Sequence, residues 1–376
     1  MPKAVNNPPV IKVSLIEKAR KLLRAKNSTT QAGFTAERIP ARLFRRRPIL
    51  IDDGPLHDEH RRQLTRFFAP RVLAENHSDF INQTARVAIK DAKKDGECNV
   101  EDVALLYSVR VASHIVGLTE GPPQKLAQRL TEFFQQPPVD HTLPDYGRTQ
   151  KQWIQAARNA LGPLIKFYFA DVRPAIKARK KQPQDDIISH LIERGFRSSE
   201  ILMECLTYGT AGMVTTREFI SMCMWRMLND KDLRNKFLQG DSSTRNKILH
   251  EIIRLEPPVG HLYRRVQKKS DACPFEPGSL IDIDVRATNQ DPILFGDAAE
   301  KICPSRDLTP AERPGLSFGD GAHRCPGSWL AMLETEVLLL EFLQADPQVL
   351  NEPDFGWDSL IQGYQLRNFI VAFPKL

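Results

Sequence analysis

The run Phe318-Gly319-Asp320-Gly321-Ala322-His323-Arg324-Cys325-Pro326-Gly327 holds one cysteine in a glycine-punctuated turn. An apolar helical run follows at once (Trp329, Leu330, Leu333, Val337, Leu338, Leu340). A thiolate at such a place gains from the positive end of the helix dipole and from backbone N–H groups the helix leaves unpaired. The glycines allow the backbone to approach something flat and bulky. His323, two residues before the cysteine, adds a donor or a cation. This is the chemistry of a thiolate ligand to a metal cofactor, with backbone donors tempering the sulfur's charge.

Composition bounds what surrounds that turn. The chain has 376 residues, 41% hydrophobic and 26% charged, ordinary for a globular protein with a sizeable core. A formal charge of +7 suits an acidic partner, or merely solubility. Basic residues are dispersed, and the densest run, Arg45-Arg46-Arg47, is closed by Pro48, so nucleic acid is not expected as a partner. Cysteines stand at 98, 205, 223, 273, 303 and 325 without a CxxC pair, which argues against a zinc site and fits a reducing compartment. Met1 to Asn7 lack the apolar core of a signal peptide, and no apolar run is long enough to span a bilayer. A cytoplasmic protein, not a membrane protein, is the expectation.

Helical periodicity dominates the elements that must position the cysteine. Residues 12–25, 57–68, 79–94, 100–117, 124–135, 150–171 and 185–194 are predicted helical. Pro122-Pro123 and Pro137-Pro138 separate some of them. The longest candidate runs from about Ser198 to Leu228, with Ser198 or Ser199 as N-cap. At about 1.5 Å per residue it would reach over 40 Å and cross the protein. Strand-like pieces are few, and 279–285 and 368–373 read best. Residues 287–317 look like a meandering loop. There is no repeat and no linker, so residues 1–376 are expected to form a single domain, mainly α with a minor β region (α+β).

The cysteine stretch matches, at every fixed position, the haem-binding signature of the cytochrome P-450 family: Phe, Gly, any, Gly, any, His or Arg, any, Cys, any, Gly. The chain is therefore identified as resembling a P-450 of the soluble bacterial type, over about residues 50 to 340. The resemblance implies the family fold, with haem b (iron protoporphyrin IX) between a long central helix and the cysteine-ligand loop. It makes Cys325 the iron ligand, with Phe318, Gly319 and Gly327 shaping the loop.

Further motifs extend the likeness. Glu251-Ile252-Ile253-Arg254 places two side chains on one helix face, where they can pair. Its order before Pro257-Pro258 resembles the family's K helix. Arg306 matches the arginine that completes the family's Glu–Arg–Arg core, a structural support. The segment from Asp53 through Pro70 resembles the C helix, which puts His57 and Arg61 on the positions that hold a haem propionate. They are four apart and share a face. His323 and Arg264 (favoured over Arg265 by spacing) are expected at the other propionate, because buried carboxylates require cationic donors.

Thr210-Ala211-Gly212-Met213-Val214-Thr215-Thr216 resembles the family's I-helix motif, Ala-Gly-x-acid-Thr-Thr. At about 100° per residue, Ala211, Gly212 and Thr215 fall on one face, leaving room for dioxygen and a hydroxyl to donate to it. Val214 replaces the acid that serves the family's proton relay. Glu218 is the nearest acid downstream, and Arg217 is expected to point outward. Tyr208 and Phe219 fall on the stripe of Thr215 and are candidates for a substrate pocket. Met332 stands where an arginine is common, a departure expected to bear on the redox-partner surface.

The resemblance implies an oxidoreductase, a monooxygenase hydroxylating or otherwise oxidising a small organic substrate with dioxygen. Two electrons would come from NAD(P)H through a ferredoxin or flavodoxin and its reductase, and the protein would be a monomer. With Val214 in the acid's place, a peroxide-using or non-oxygen-inserting coupling enzyme is the alternative. A non-catalytic haem sensor is the third reading.

Overall fold

A computed structural model describes residues 9–33, 37 and 45–374. The segment Met1 to Asn7, read above for targeting, lies outside the described residues. The chain is mainly helical with three small sheets. Nine strands are described: β1 (Val10–Val13), β2 (Thr29–Ala32), β3 (Glu97–Asn99), β4 (His261–Val266), β5 (Leu280–Asp284), β6 (Gln348–Asn351), β7 (Asp354–Asp358), β8 (Gly363–Arg367) and β9 (Ile370–Ala372). One sheet has the order β1-β5-β4-β2, a second β3-β9-β6, and β7-β8 form a hairpin. Among the described strands only the β1–β5 pairing is parallel.

The expectation of few strands is thus corrected. Most missed strands are short and carry charged or exposed residues, so their alternation is weak. The helix predicted over 12–25 begins only at Ile16 and ends at Arg24. Its first residues belong instead to β1, where Val10, Ile11 and Val13 favour an extended, half-buried backbone. The meander holds two short helices, Val285–Thr288 and Pro292–Phe295.

The long central helix is present but is not one continuous α-helix. It runs α over Ser198–Gly209, π over Thr210–Val214, and α again over Thr215–Asn229. A π turn inserts a residue and resets the angular register, so uniform 100° steps fail across it. Its N-cap is Arg197 rather than Ser198 or Ser199, with Glu200 Oε2 accepting from the Arg197 N–H at 2.8 Å. The main core gathers around this helix: Met213, Phe219, Ile220, Met222, Cys223 and Met224 pack with Tyr107, Val111, Ile252, Leu338 and Leu339.

Candidate active site

The cysteine loop is closed on itself and braced from below. The Cys325 N–H donates to the Phe318 carbonyl at 2.7 Å. Gly319 and Gly321 hold φ of 66° and 68°, a left-handed backbone that favours glycine. A Cβ on Gly321 would lie 2.4 Å from the Leu23 carbonyl, so the loop touches the end of helix Ile16–Arg24. Asp320 accepts from Gly321 N–H at 2.7 Å and pairs with Arg24 at 2.9 Å. Cys325 itself is part-exposed. Burial pushes its thiol up, against the Gly327 N–H and the Arg61 and Arg324 cations. The helix N-terminus expected to favour the thiolate is therefore outweighed by desolvation in the protein alone.

A buried network ties this loop to helix Ser242–Leu255. Arg254, fully buried, donates to both Glu251 oxygens at 2.8 and 2.9 Å. It also donates to the carbonyls of Asn289 at 2.7 Å and Ala299 at 2.6 Å. Arg306 reaches Glu251 at 3.5 Å and donates to the carbonyls of Phe295 and Ala298. The three charged residues anticipated as a unit are thus brought together. A fourth, Asn289, was not anticipated. Its amide donates to the Arg254 carbonyl and to Ser317 Oγ, each at 2.9 Å, and its carbonyl accepts from Leu316 N–H at 2.6 Å. It latches the network to the residues entering the cysteine loop. A lone asparagine in a meander carries no periodic signal that would have singled it out.

On one side of the loop lies a cluster of cations. His57 and His323 stack with ring centroids 4.4 Å apart. His323 Nε2 meets Asp53 Oδ1 at 3.0 Å, while His57 Nε2 is buried without a hydrogen-bond partner. The Arg61 side chain makes no hydrogen bond or ion pair among the described residues, and it acts electrostatically on both histidines and on Cys325. Arg264 is buried, contacting Gln31 Oε1 across the β2–β4 pairing at 2.5 Å and the Tyr263 carbonyl at 2.8 Å. Burial pushes it down to about 10, partly opposed by Asp53. Arg265 is instead bound to Glu37 at 2.8 and 3.0 Å, whereas Arg264 forms no ion pair among the described residues. Desolvation lowers both His57 and His323. Arg61 and Arg264 are thus held partly or fully buried without an ion pair among the described residues, a cost that nearby anionic groups would offset.

The central helix supplies the remaining residues. Ala211 is exposed and Gly212 part-exposed although both lie mid-helix. A Cβ built on Gly212 or on Gly327 meets no atom within 4 Å. The Thr215 hydroxyl donates to the Ala211 carbonyl, within the π turn. Val214 is buried. Glu218 is fully buried, pairing with Arg217 at 2.6 Å and Arg367 at 2.9 Å and accepting from Leu366 N–H at 3.0 Å. Three donors leave it no free role in proton movement. Arg217, expected to point out, is buried against it, a correction: helical angle alone does not show the sheet strand β8 that packs there. Phe219 lies in the apolar core at 1% exposure, not beside open space, and Tyr208 also packs in that core. Met332 is likewise buried in the core, so its departure from pattern does not alter a surface. A surface cleft of about 870 Å³, lined by Glu101, Gln128, Arg158, Lys166 and Arg367 among others, contains none of the cysteine-loop or cation residues.

These features agree with what the chain is similar to. The family model described as Cytochrome P450 matches residues 245–345, which include Glu251, Arg254, Arg306 and Cys325. The biotin biosynthesis cytochrome P450 of Bacillus subtilis is 26% identical over 317 residues, 82% of this chain and 75% of that protein. Erythromycin C-12 hydroxylase of Saccharopolyspora erythraea is 24% identical over 304 residues, 77% of this chain and 71% of that protein. The solved structure of P450BioI with an acyl carrier protein bearing hexadec-9Z-enoic acid superposes with a TM-score of 0.79 at 21% identity, covering 96% of this chain and 92% of that one. A mutant of P450 EryK with erythromycin B gives 0.78 at 21%, covering 97% and 90%. The chain is similar to cytochrome P450s over most of its length and has their fold. Cytochrome P450s bind haem b and act as monooxygenases. No described helix is long and apolar enough to cross a membrane. The residues present fit haem b: a deep, part-exposed thiol, glycines opening onto free space, an unpartnered His57 Nε2, and Arg61 and Arg264 without an ion pair among the described residues.

Proposed function

We propose that Cys325 supplies the thiolate ligand to haem iron, and that His57, Arg61, Arg264 and His323 hold the two propionates. The observation that carries this reading is that Arg61 and Arg264 form no ion pair among the described residues, with Arg61 close enough to Cys325 to act on it electrostatically. Bound there, the haem would supply oxygen activation, with the thiolate pushing electron density toward O–O cleavage. Phe318, Gly319 and Gly327 shape the loop, and Glu251, Arg254 and Arg306 keep it in place. On the opposite face, Ala211 and Gly212 leave space and Thr215 presents its hydroxyl beside the Ala211 carbonyl. The product would be an oxidised small organic molecule. The electron donor would be a ferredoxin or flavodoxin with its reductase, serving a monomeric cytoplasmic enzyme. The net charge of +7 supports an acidic donor.

A second reading rests on Val214. It is buried and apolar where a relay acid is expected, and Glu218 is fully engaged. That favours use of hydrogen peroxide, or oxidation of substrate without oxygen insertion. Comparing turnover with peroxide alone against turnover with NAD(P)H and a redox pair decides between them. Faster productive turnover with peroxide would overturn the monooxygenase reading, and Val214→Asp would then have little effect.

A further inference from the structure

One cluster of ionisable side chains is used by none of the roles above. Glu204, on the central helix one turn before Tyr208, is 1% exposed. Its Oε1 accepts from the Ile49 N–H at 3.0 Å and lies 3.8 Å from His60 Nδ1. Its Oε2 has no partner, nor has the hydroxyl of Tyr208, nor His60 Nε2. The Tyr208 hydroxyl faces the Glu204 carboxyl closely enough for a hydrogen-bonding interaction to act on the titration of both, though not in the geometry of a well-formed bond. Tyr208 in turn acts on Arg61, and Arg61 on Cys325. Buried polar groups are nearly always satisfied, by protein or by ordered water. Three polar atoms without a well-formed bond, grouped in one interior place, keep hydrogen-bonding capacity that water or a proton can use.

The groups facing Glu204 come from each neighbouring element. Asp52 follows Ile49, His60 sits on helix Pro55–Thr65, and Cys205 and Tyr208 share its own helix. Around His60 stand His57, His190, Arg46 and Arg194. No guanidinium or ammonium pairs with Glu204 among the described residues. Contrast Glu218, fixed by two arginines.

We propose that Glu204 and Tyr208 form a proton relay that stands in for the acid missing at Val214. The proposal rests on the oxygenase reading. Reducing dioxygen while hydroxylating a substrate consumes two protons and two electrons, yielding the hydroxylated product and water. Each proton would leave the Glu204 carboxyl, pass by the Tyr208 hydroxyl toward the Ala211–Gly212 opening, and be replaced from solvent past His60. Tyr208 gives up one proton as it takes another, so neither residue changes over a turnover. Burial pushes Glu204 up to about 8, which keeps it protonated and able to donate near neutral pH.

The test uses the haem-loaded protein in two arms. Infrared spectra should show a protonated-carboxyl band near pH 7 that shifts in heavy water, fades above about pH 8 and is missing in Glu204→Gln. In NAD(P)H-driven turnover, Glu204→Gln and Tyr208→Phe should each lower product per NAD(P)H, on the order of tenfold. The difference should appear as released hydrogen peroxide. Tyr208→Phe should keep the carboxyl band. Adding Val214→Asp to Glu204→Gln should restore product, a rescue that a merely structural defect would not show. The proposal is overturned if no band assigns to Glu204, or if both variants couple as well as the parent. If the parent itself shows no NAD(P)H-driven product, the oxygenase reading fails. The infrared arm then decides alone whether Glu204 is the protonated group.

Discussion

Arg254 donates to both oxygens of Glu251, at 2.8 and 2.9 Å, and neither side chain is more than 1% exposed. The fork of the guanidinium leaves further N–H groups for the carbonyls of Asn289, Ala299 and Lys301. A point charge could not satisfy this geometry. Replacing Arg254 by Ala should therefore destabilise by about 3–5 kcal/mol, because it strands a buried carboxylate. Arg254→Lys should lose most of that as well. Denaturant midpoints and haem content check both. Retention of haem and stability by Arg254→Lys would contradict the network's role.

Asn289 is predicted to matter as much as the residues with recognisable spacing. Asn289→Ala removes three hydrogen bonds and leaves the Leu316 N–H buried without its acceptor. A loss of roughly 2–4 kcal/mol is expected, together with a mobile entry to the cysteine loop. Amide hydrogen exchange at Leu316 and Ser317 should accelerate relative to the parent.

Arg61 lacks any ion pair in the described structure and lies beside Cys325 and the two stacked histidines. Substituting Arg61→Ala should leave folding nearly intact, since no internal partner is stranded. It should speed haem transfer to a scavenger protein by about ten- to a hundredfold, the effect of one charged hydrogen bond. Arg265→Ala, which instead loses Glu37, should leave haem transfer unchanged. Equal effects from the two variants would count against the propionate assignment.

Acid sensitivity follows from the histidines. All except His261 are pushed down, desolvation being the first cause; His60 and His250 reach about 4. Between those values and the ordinary 6.5, the unfolded chain binds more protons than the folded one. Stability is thus complete above about pH 6.5 and falls as pH drops toward 4. His60 and His250 would each cost roughly 2 kcal/mol at about pH 5. His261, raised by Asp282, works in the opposite sense. Denaturant midpoints measured across this window should fall steadily on acidification; a flat profile would refute the assignment.

Two glycine substitutions should part company. Gly321→Ala meets the Leu23 carbonyl and a left-handed backbone, so it should weaken the cysteine loop and lower haem content. Gly212→Ala meets nothing within 4 Å. It should keep stability or gain up to about 1 kcal/mol from helix propensity, yet reduce turnover by filling the space beside Ala211. Thermal midpoints with product assays separate the two.

Much of the proximal side was legible because its residues sit at fixed, local spacings. Glycines around Cys325, the i, i+3 pair Glu251–Arg254 and the i, i+4 pair His57–Arg61 need only a turn or a helix to come together. What escaped depends on tertiary neighbours. Asn289 gains its role from Arg254 and Leu316, each far from it in sequence. Arg217 turns inward because Glu218 is already bound to β8 through Arg367. The π turn at Thr210–Val214 breaks the angular reasoning used for the distal face. Glu204 drew no notice because an acid on a helix is ordinarily solvated, and only the packing of Ile49 and Tyr208 makes it otherwise.

The central claim is that Cys325 binds haem iron through its thiolate. It is tested most directly by the spectrum of the reduced, carbon-monoxide-bound protein. The account predicts the red-shifted Soret maximum of thiolate ligation, present in the parent and abolished by Cys325→His while haem remains bound. A parent protein that holds haem but lacks that shift, or a Cys325→His variant that keeps it, would contradict the account.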